Sequence, residues 1–265
     1  MKTKIKPVIS VAPITTHYIL VDYDNLAKNI VGCHNFGMKP EDCPRVISFV
    51  LKSLDEQSTF FRTARPLEKI SVYLYNGWYR DVNKTRLAEN ILKEISYNPN
   101  YKTYTLSSAM KVYIDIRLAY GLLSLQQKPF YGTLRRYGPN IKVYSQYSPC
   151  CDLSNQLIKG IKHYTKTGCC NGCGNDISKA FFSEGQKLVD TMLTCDMHWL
   201  AKTKENSVAL VSSDDDLVPP IFQQALETSN VYHVLTTETS SHCFENFYLP
   251  LKPESCEVVY LKIGA

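Results

Sequence analysis

The chain has 265 residues, of which 44% are hydrophobic and 21% are charged, a composition typical of a globular protein with ample material for a core. No apolar run approaches the roughly 18 to 20 residues that a membrane-spanning helix needs, so we expect a soluble, cytoplasmic protein with no membrane partner. The net charge of +5, from 30 Lys and Arg against 25 Asp and Glu, is compatible with a phosphate-bearing partner but is weak support for one by itself.

In chain order, the hydrophobic pattern predicts strands that alternate with helices. Residues 17–21 form an unbroken run of apolar and aromatic side chains, which is typical of a strand buried in a parallel sheet. A helix is then predicted around residues 46–54, a strand at 69–75, a helix at 83–95, a β-hairpin of 133–137 and 141–144, a helix at 181–200, a strand at 207–212, a helix at 220–227 and a strand at 231–236. This alternation predicts a layered α/β sheet with its ligand site at the carboxyl ends of the strands.

Acidic residues occur at three places in this pattern. Asp22 ends the first strand, Asp190 lies on the helix predicted at 181–200, and a run of three acids, 214–216, follows the strand at 207–212. Because two of these places are strand ends, the carboxylates are expected to converge, and converging carboxylates suit a hard divalent cation such as Mg²⁺. The alternative is that each acid only caps a helix, although three acids in a row exceed what one cap needs.

These segments contain three short motifs, whose residues are Asp22 and Asn25; Lys187, Val189, Asp190 and Asp196; and Ser212, Asp214, Asp216, Leu217 and Pro219. In this order and separation, the motifs resemble those of the NYN family of PIN-like nucleases. The resemblance implies a PIN-like or Rossmann-like fold, with a central, mostly parallel sheet flanked by helices. It also implies a Mg²⁺- or Mn²⁺-dependent nuclease, usually acting on RNA, so that nucleic acid is the expected partner.

The resemblance also implies roles for individual residues. The metal-binding catalytic acids would be Asp22, Asp190, Asp214 and Asp216, and Asn25 would orient the first of them. The sixth residue after Asp190 on a helix, Asp196, is rotated by about 120° from it and is expected to be structural. Two departures from the family pattern are Ser213, where glycine is common, and the additional acid Asp215, which leaves the ligand choice among residues 214–216 open.

A cysteine-rich stretch, residues 148–176, is expected to be a zinc-binding insertion within a single domain spanning 1–265. Cys170 and Cys173 form a Cys-x-x-Cys pair followed by glycine, a turn that aims two thiolates at one Zn²⁺. The favoured structural zinc site consists of Cys150, Cys151, Cys170 and Cys173, and Cys169 and His163 are alternative ligands. The competing interpretation is a set of buried or free thiols, or a redox pair.

Cations and aromatic rings alternate between Lys128 and Tyr147, a pattern that suits single-stranded nucleic acid but is also typical of a hairpin packed on one face. A second basic and aromatic segment, residues 78–80, follows the predicted strand at 69–75. The candidate substrate contacts are Trp78, Arg80, Arg135, Arg136 and Lys187.

Two other functions fit the same residues. Asp22, Tyr23 and Asp24 after an apolar strand also match the nucleophile and acid pair of HAD-like phosphatases, in which Asp22 would be phosphorylated. Asn25 and the Val-Asp helix motif count against that alternative. The third possibility is an inactive module that binds nucleic acid or protein. The sequence leaves open whether the chain forms a homo-oligomer.

Overall fold

The computed structural model describes residues 15–26, 42–62, 67–97, 102–137, 151–176, 182–228, 230–235 and 244–261. Its strands are β1 (Thr15–Asp22), β2 (Leu67–Tyr75), β3 (Tyr79–Arg80), β4 (Asn83–Lys84), β5 (Thr103–Thr105), β6 (Lys111–Leu118), β7 (Leu134–Tyr137), β8 (Ser183–Gln186), β9 (Ser207–Val211), β10 (Val231–Leu235) and β11 (Cys256–Tyr260). Its helices are α1 (Asp42–Gln57), α2 (Arg86–Tyr97), α3 (Asp152–Thr167), α4 (Val189–Ala201) and α5 (Val218–Glu227). Short helical turns occur at 23–26, Leu123–Leu125, Asp215–Leu217, Phe244–Tyr248 and Leu249–Leu251.

The main sheet has seven strands in the order β11-β10-β9-β1-β2-β6-β5. All neighbouring strands are parallel except β5, which runs antiparallel to β6. The prediction of an α/β fold with a mostly parallel sheet is therefore confirmed. Taken in the order of their appearance in the chain, the six parallel strands are arranged 3-2-1-4-5-6 across the sheet. The order reverses between β1 and β9, and ligands of such sheets bind outside the carboxyl ends of the strands at this reversal.

Both faces of the sheet are covered by helices. On β1, Ile19 and Val21 face the core formed with α1 and α2, and Leu20 faces the core formed with α4 and α5. Because alternate side chains of a strand point to opposite faces, β1 must be apolar at consecutive positions. The unbroken apolar run at 17–21 follows from this burial on two sides.

A second, smaller sheet has the strand order β4-β3-β7-β8. Its arrangement bears on two predictions. Of the hairpin predicted from 133–137 and 141–144, the first strand is present as β7, which pairs with β3 and β8, and residues 141–144 lie outside the described part of the chain. The helix predicted from residue 181 begins only at Val189, because 183–186 form strand β8 against β7.

The other predicted elements are confirmed to within a few residues, including β2, β9, β10, α1, α2 and α5. Strands β3, β4, β5, β6 and β11 and helix α3 were not among the predicted elements. Helix α3 carries a weak signal because Tyr164 is its only buried side chain, whereas Leu153 and Leu157 are exposed. None of the helices in the described ranges is long and apolar enough to cross a membrane.

Candidate active site

Asp22 occupies the carboxyl end of β1, with only 6% of its surface exposed. The backbone N–H of Asn25 donates a hydrogen bond to Asp22 Oδ1 over 3.3 Å. The Ser212 hydroxyl donates to Asp22 Oδ2 over 2.9 Å. Both carboxylate oxygens are thus held by donors, one from the turn after β1 and one from the end of the neighbouring strand β9. The orientation of this carboxylate depends on the pairing of the two strands.

The polypeptide after β9 is fixed by a set of short contacts. The Asp214 N–H donates to the Ser212 hydroxyl over 3.1 Å, and the Ser213 N–H donates to Asn25 Oδ1 over 3.1 Å. The side chain of Asn25 therefore positions the turn after β9, while its backbone N–H contacts Asp22. His233 Nε2 lies 3.0 Å from the Ser212 carbonyl oxygen. Since a carbonyl oxygen only accepts, His233 carries its proton on Nε2.

The three consecutive acids after β9 have different surroundings. Asp214 lines a cavity at this end of the sheet, together with Asp22 and Asp190. It also caps the helical turn Asp215–Leu217, because its Oδ1 accepts the Asp216 N–H over 3.1 Å. Asp215 and Asp216 are exposed and do not line the cavity. Asp214 therefore both caps the helical turn and lines the cavity, which distinguishes it from Asp215 and Asp216.

Asp190 comes from the first turn of α4. The residue that precedes this helix, Leu188, has a φ of 70°. A leucine in this left-handed region costs roughly 1–2 kcal/mol, and such strained residues are enriched at functional sites. The left-handed turn at Leu188 lies between β8 and α4 and brings the start of the helix, with Asp190, to the cavity.

The cavity has a volume of about 620 Å³ and lies at the reversal of strand order between β1 and β9. Its lining includes five carboxylates, Asp22, Asp24, Glu184, Asp190 and Asp214, and no Lys or Arg from the described residues. The pKa of Asp22 is raised to about 6, mainly by burial; the hydrogen bonds from Ser212 and Asn25 act to lower it, and the charges of Asp190 and Asp24 act to raise it. Burial also raises the pKa of Asp190, as do the charges of Asp214 and Asp216. The cavity therefore has a strongly negative electrostatic potential.

The carboxylates of the cavity are suited to a hydrated divalent cation. Within the described ranges, no three Asp, Glu, His or Cys side chains lie close enough together to hold one metal ion directly. Mg²⁺, however, usually keeps several waters and is bound through one or two carboxylates together with substrate oxygens. Carboxylates that repel one another around an open cavity of this size have the chemistry that a hydrated hard cation requires. The residues present fit such an ion.

One wall of the cavity was not anticipated from the sequence. Leu134, Glu184 and Gln186 of the small sheet line it, as does Asn76, which directly follows β2. Asn76 Oδ1 accepts hydrogen bonds from Gln186 Nε2 over 2.8 Å and from the Gly77 N–H over 2.6 Å. Asn76 could have been predicted from the sequence, since it is a polar residue at the end of an apolar parallel strand. The residues of β8 could not, because their position depends on pairing with distant β7.

Most of the predicted substrate contacts lie on the small sheet. Arg80 and Arg136 both contact Glu184, and Arg136 does so through Nε at 3.3 Å. Arg135 Nε donates to the Gly132 carbonyl over 2.9 Å. The Lys187 Nζ lies 5.7 Å from the centroid of the Tyr137 ring. All four of these cationic residues remain partly or fully exposed.

The prediction that Trp78 contacts substrate is wrong. Its side chain is only 1% exposed, and its indole N–H donates to the Leu74 carbonyl over 2.9 Å. Tyr23 packs against it with ring centroids 5.8 Å apart. The indole therefore belongs to the hydrophobic core shared with α1 and α2, where burial of its large apolar surface is favourable.

The surroundings of Asp196 are those of a structural residue, as was predicted from its rotation relative to Asp190 around the helix. It is fully buried, and its carboxylate accepts hydrogen bonds from the Tyr75 hydroxyl over 2.7 Å and from the Leu123 N–H over 2.8 Å. Burial raises its pKa to about 6, and these two bonds oppose that rise. The residue connects α4 to β2 and to the turn Leu123–Leu125.

The cysteine insertion contains a formed Cys-x-x-Cys turn. The Gly174 N–H donates to the Cys170 carbonyl over 2.8 Å, and Gly174 has a positive φ of 71°. Hydrogen bonds from the backbone of Cys173, the backbone of Gly172 and the side chain of Cys173 lower the pKa of Cys170. Two sulfur atoms and backbone amides are thus gathered as a zinc-binding turn requires.

The upstream half of the predicted zinc site is not gathered there. Cys151 caps α3, where its sulfur accepts the Ser154 N–H over 3.4 Å. Cys170 follows the other end of this helix of 16 residues, which is about 24 Å long. Cys150 lies outside the described residues, and His163 is exposed on α3. The four-cysteine site stays a prediction.

Comparison of the chain with family models, with curated proteins and with solved structures gave no match. The chemistry of the site therefore rests on its own geometry.

Proposed function

We propose that the protein is a Mg²⁺- or Mn²⁺-dependent nuclease that cleaves RNA at the cavity between β1 and β9. One observation carries the proposal: Asp22, Asp190 and Asp214, from a strand end, a helix start and a second strand end, line one cavity at the reversal of strand order. These residues are far apart in the chain and belong to different elements. Helix capping alone gives no reason for them to meet.

A hydrated cation bound among Asp22, Asp190 and Asp214, with one or two of these carboxylates as direct ligands and the rest contacting its waters, would supply a bound water of lowered pKa and positive charge near a phosphate. The protein's own groups prepare the site for it. Ser212 and the Asn25 backbone orient the Asp22 carboxylate, and the Asn25 side chain holds the turn that presents Asp214. Hydrolysis adds water across one P–O bond of the backbone, leaving a phosphate monoester on one product and a hydroxyl on the other.

The charge of the cavity also bears on the substrate. Its described lining has five carboxylates and no cationic side chain, so a phosphodiester would be repelled from it without a counter-ion. Two guanidinium groups, those of Arg80 and Arg136, contact Glu184 and so lie at the rim of the cavity that Glu184 lines. This division between an acidic floor and a basic rim supports a polymer that extends beyond the reacting phosphate.

A HAD-like phosphatase is the second candidate, because Asp24 lines the same cavity as Asp22 and a nucleophile and acid pair needs such proximity. The burial of Asp22 and the hydrogen bonds to both of its oxygens disfavour it as a nucleophile.

The two candidates are separated by incubating the protein with Mn²⁺ and either labelled single-stranded RNA or p-nitrophenyl phosphate. We expect RNA cleavage that requires Asp22 and is abolished by EDTA. Turnover of p-nitrophenyl phosphate that depends on Asp22, with the RNA left intact, would instead identify a phosphatase. Inertness toward both substrates would contradict both assignments and favour a binding module.

A further inference from the structure

The small sheet has one face toward the acidic cavity and one face away from it. In the antiparallel pairing of β7 with β8, Leu134 is opposite Gln186 and Arg136 is opposite Glu184. Leu134, Glu184 and Gln186 all line the cavity. Since alternate residues of a strand point to opposite faces, Arg136 lies on the cavity face, and its neighbour Arg135 lies on the opposite face.

Two guanidinium groups share one carboxylate on this cavity face. Glu184 pairs with Arg80 and with Arg136, so the three side chains have a net charge of +1. The Arg136 side chain is 55% exposed and uses its Nε for Glu184. A guanidinium has five N–H donors, so the remaining donors of Arg136 are available to an incoming acceptor. Glu184 holds the two cations side by side at the edge of the cavity.

An exposed aromatic ring continues the same face outward. Phe182 is 52% exposed, and the guanidinium carbon of Arg136 lies 4.4 Å from its ring centroid. Phe182, Glu184 and Gln186 alternate along the chain, so each is about 7 Å from the next along β8. From the cavity outward, the face therefore presents a polar wall, a pair of cations and then a ring.

We propose that this cavity face of the small sheet binds the segment of single-stranded nucleic acid that flanks the reacting phosphate. Arg80 and Arg136 pair with backbone phosphates, and the open face of Phe182 stacks on a base. Cations that follow the backbone, combined with rings that stack on bases, are the means by which proteins bind single strands. A base paired within a duplex cannot offer its face to Phe182. The inference rests on the proposed nuclease function, because it places this segment next to the reacting phosphate.

The test measures binding in EDTA, where metal-dependent cleavage does not occur, by fluorescence anisotropy with labelled twelve-nucleotide oligouridylate. Arg136→Gln is expected to weaken binding roughly 10-fold and to reduce the dependence on salt by about one released ion. Phe182→Leu, which keeps an apolar side chain, is expected to weaken binding roughly 10-fold through loss of base stacking. Arg135→Gln is the matched control, since it removes the same charge one residue away on the opposite face, and its affinity should stay within about two-fold of that of the wild type.

Oligothymidylate and an RNA duplex complete the experiment. Weaker binding of oligothymidylate would assign the surface to RNA, and equal binding would assign it to single strands of either sugar. The inference would be overturned if Arg135→Gln and Arg136→Gln lost affinity equally, or if both Arg136→Gln and Phe182→Leu bound as tightly as the wild type. It would also be overturned if a duplex bound as tightly as a single strand, or if no binding occurred at all. Circular dichroism melting confirms that each variant is folded, and Arg136→Lys, which keeps the charge, should retain the salt dependence. If binding depends on Arg136 but no RNA is cleaved in Mn²⁺, only the proposed nuclease function is rejected. If cleavage depends on Asp22 but these variants bind as the wild type does, only the present inference is rejected.

Discussion

The Ser212 hydroxyl donates a hydrogen bond to Asp22 Oδ2 over 2.9 Å, although the two residues are 190 positions apart in the chain. The same hydroxyl accepts the Asp214 N–H over 3.1 Å. One side chain thus couples the carboxylate at the end of β1 to the backbone of the acid that follows β9. The relative positions of two proposed cation-binding acids therefore depend on Ser212.

Replacing this hydroxyl should affect both folding and function. Ser212→Ala leaves the buried Asp22 carboxylate without one donor, which should destabilise the protein by about 1–3 kcal/mol. Loss of a partner that orients a proposed metal ligand should also lower metal affinity or activity by roughly 10- to 100-fold. Urea unfolding and titration with Mn²⁺ measure the two effects. Ser213→Ala is the neighbouring control, because Ser213 contacts Asn25 through its backbone N–H, and equal effects of both variants would contradict this role of Ser212.

The position of Asp214 on the cavity can be tested against the acid beside it. Asp214→Asn should lower RNA cleavage roughly 100-fold or more, as removal of an electrostatic contact to the reacting group does. Asp215→Asn removes the same charge from an exposed residue that does not line the cavity and should retain most of the activity. Initial rates at saturating Mn²⁺ compare the two variants. A greater loss for Asp215→Asn would show that the wrong acid has been assigned.

The raised pKa of Asp22 predicts a specific dependence of stability on pH in metal-free protein. Folding raises the pKa of Asp22 from 3.8 to about 6, so folded Asp22 binds its proton more tightly than unfolded Asp22 does. Its ionisation therefore costs stability as the pH rises from about 4 to 6, and the full cost of roughly 3 kcal/mol is present above that range. Asp22→Asn does not titrate, so its stability relative to the wild type should increase across this window.

Urea unfolding in EDTA at pH 4 and pH 7 measures this difference in the free energy of unfolding. Ser213→Ala, which removes no ionisable group, should show a difference from the wild type that is the same at both pH values. A difference for Asp22→Asn that does not change with pH would contradict the prediction.

Of the two acids of α4, Asp196 should contribute to stability and Asp190 to activity. Tyr75→Phe removes the hydroxyl that donates to buried Asp196, so the free energy of unfolding should fall by about 1–3 kcal/mol. The loss should be larger at pH 7.5 than at pH 5, because the pKa of Asp196 is raised to about 6 by burial and the protonated acid needs that donor less. Cleavage per folded molecule should persist. Tyr120→Phe is the control, since the Tyr120 hydroxyl is buried and has no hydrogen-bond partner within the described ranges.

The zinc prediction can be tested through the Cys-x-x-Cys turn. Purified protein should contain about one zinc per chain, and Cys170→Ser or Cys173→Ser should lower metal content and thermal stability together, because site formation and local folding are coupled. Cys195→Ser, at an exposed cysteine of α4, should change neither. Zinc content that survives Cys151→Ser would exclude Cys151 as a ligand, in agreement with its position at the far end of α3. Wild-type protein without zinc would reject the site altogether.

Much of the sheet and part of the site were predictable because their signals are local. Burial on both faces requires consecutive apolar residues in β1, β2 and β9, and this requirement is visible in short windows of sequence. The positions of Asp22 and Asp214 after such strands follow from the same pattern. A strand that ends in a carboxylate places it at the carboxyl edge of a parallel sheet, whichever strand lies beside it.

The tertiary structure alone decided which of these groups meet. The sequence left the ligand choice among residues 214–216 open, and the hydrogen bonds of Ser212 and Asn25 determine that Asp214 faces the cavity. Glu184 and Arg136 lie opposite each other on paired strands although they are 48 positions apart in the chain, and no periodicity within either segment indicates the other. The burial of Trp78 likewise depends on tertiary contacts, since its ring packs in the core against Tyr23, which is distant in the chain. Periodicity records whether a side chain is buried, whereas the identity of its neighbour is set by how distant strands pair, and that information is absent from any short window of the chain.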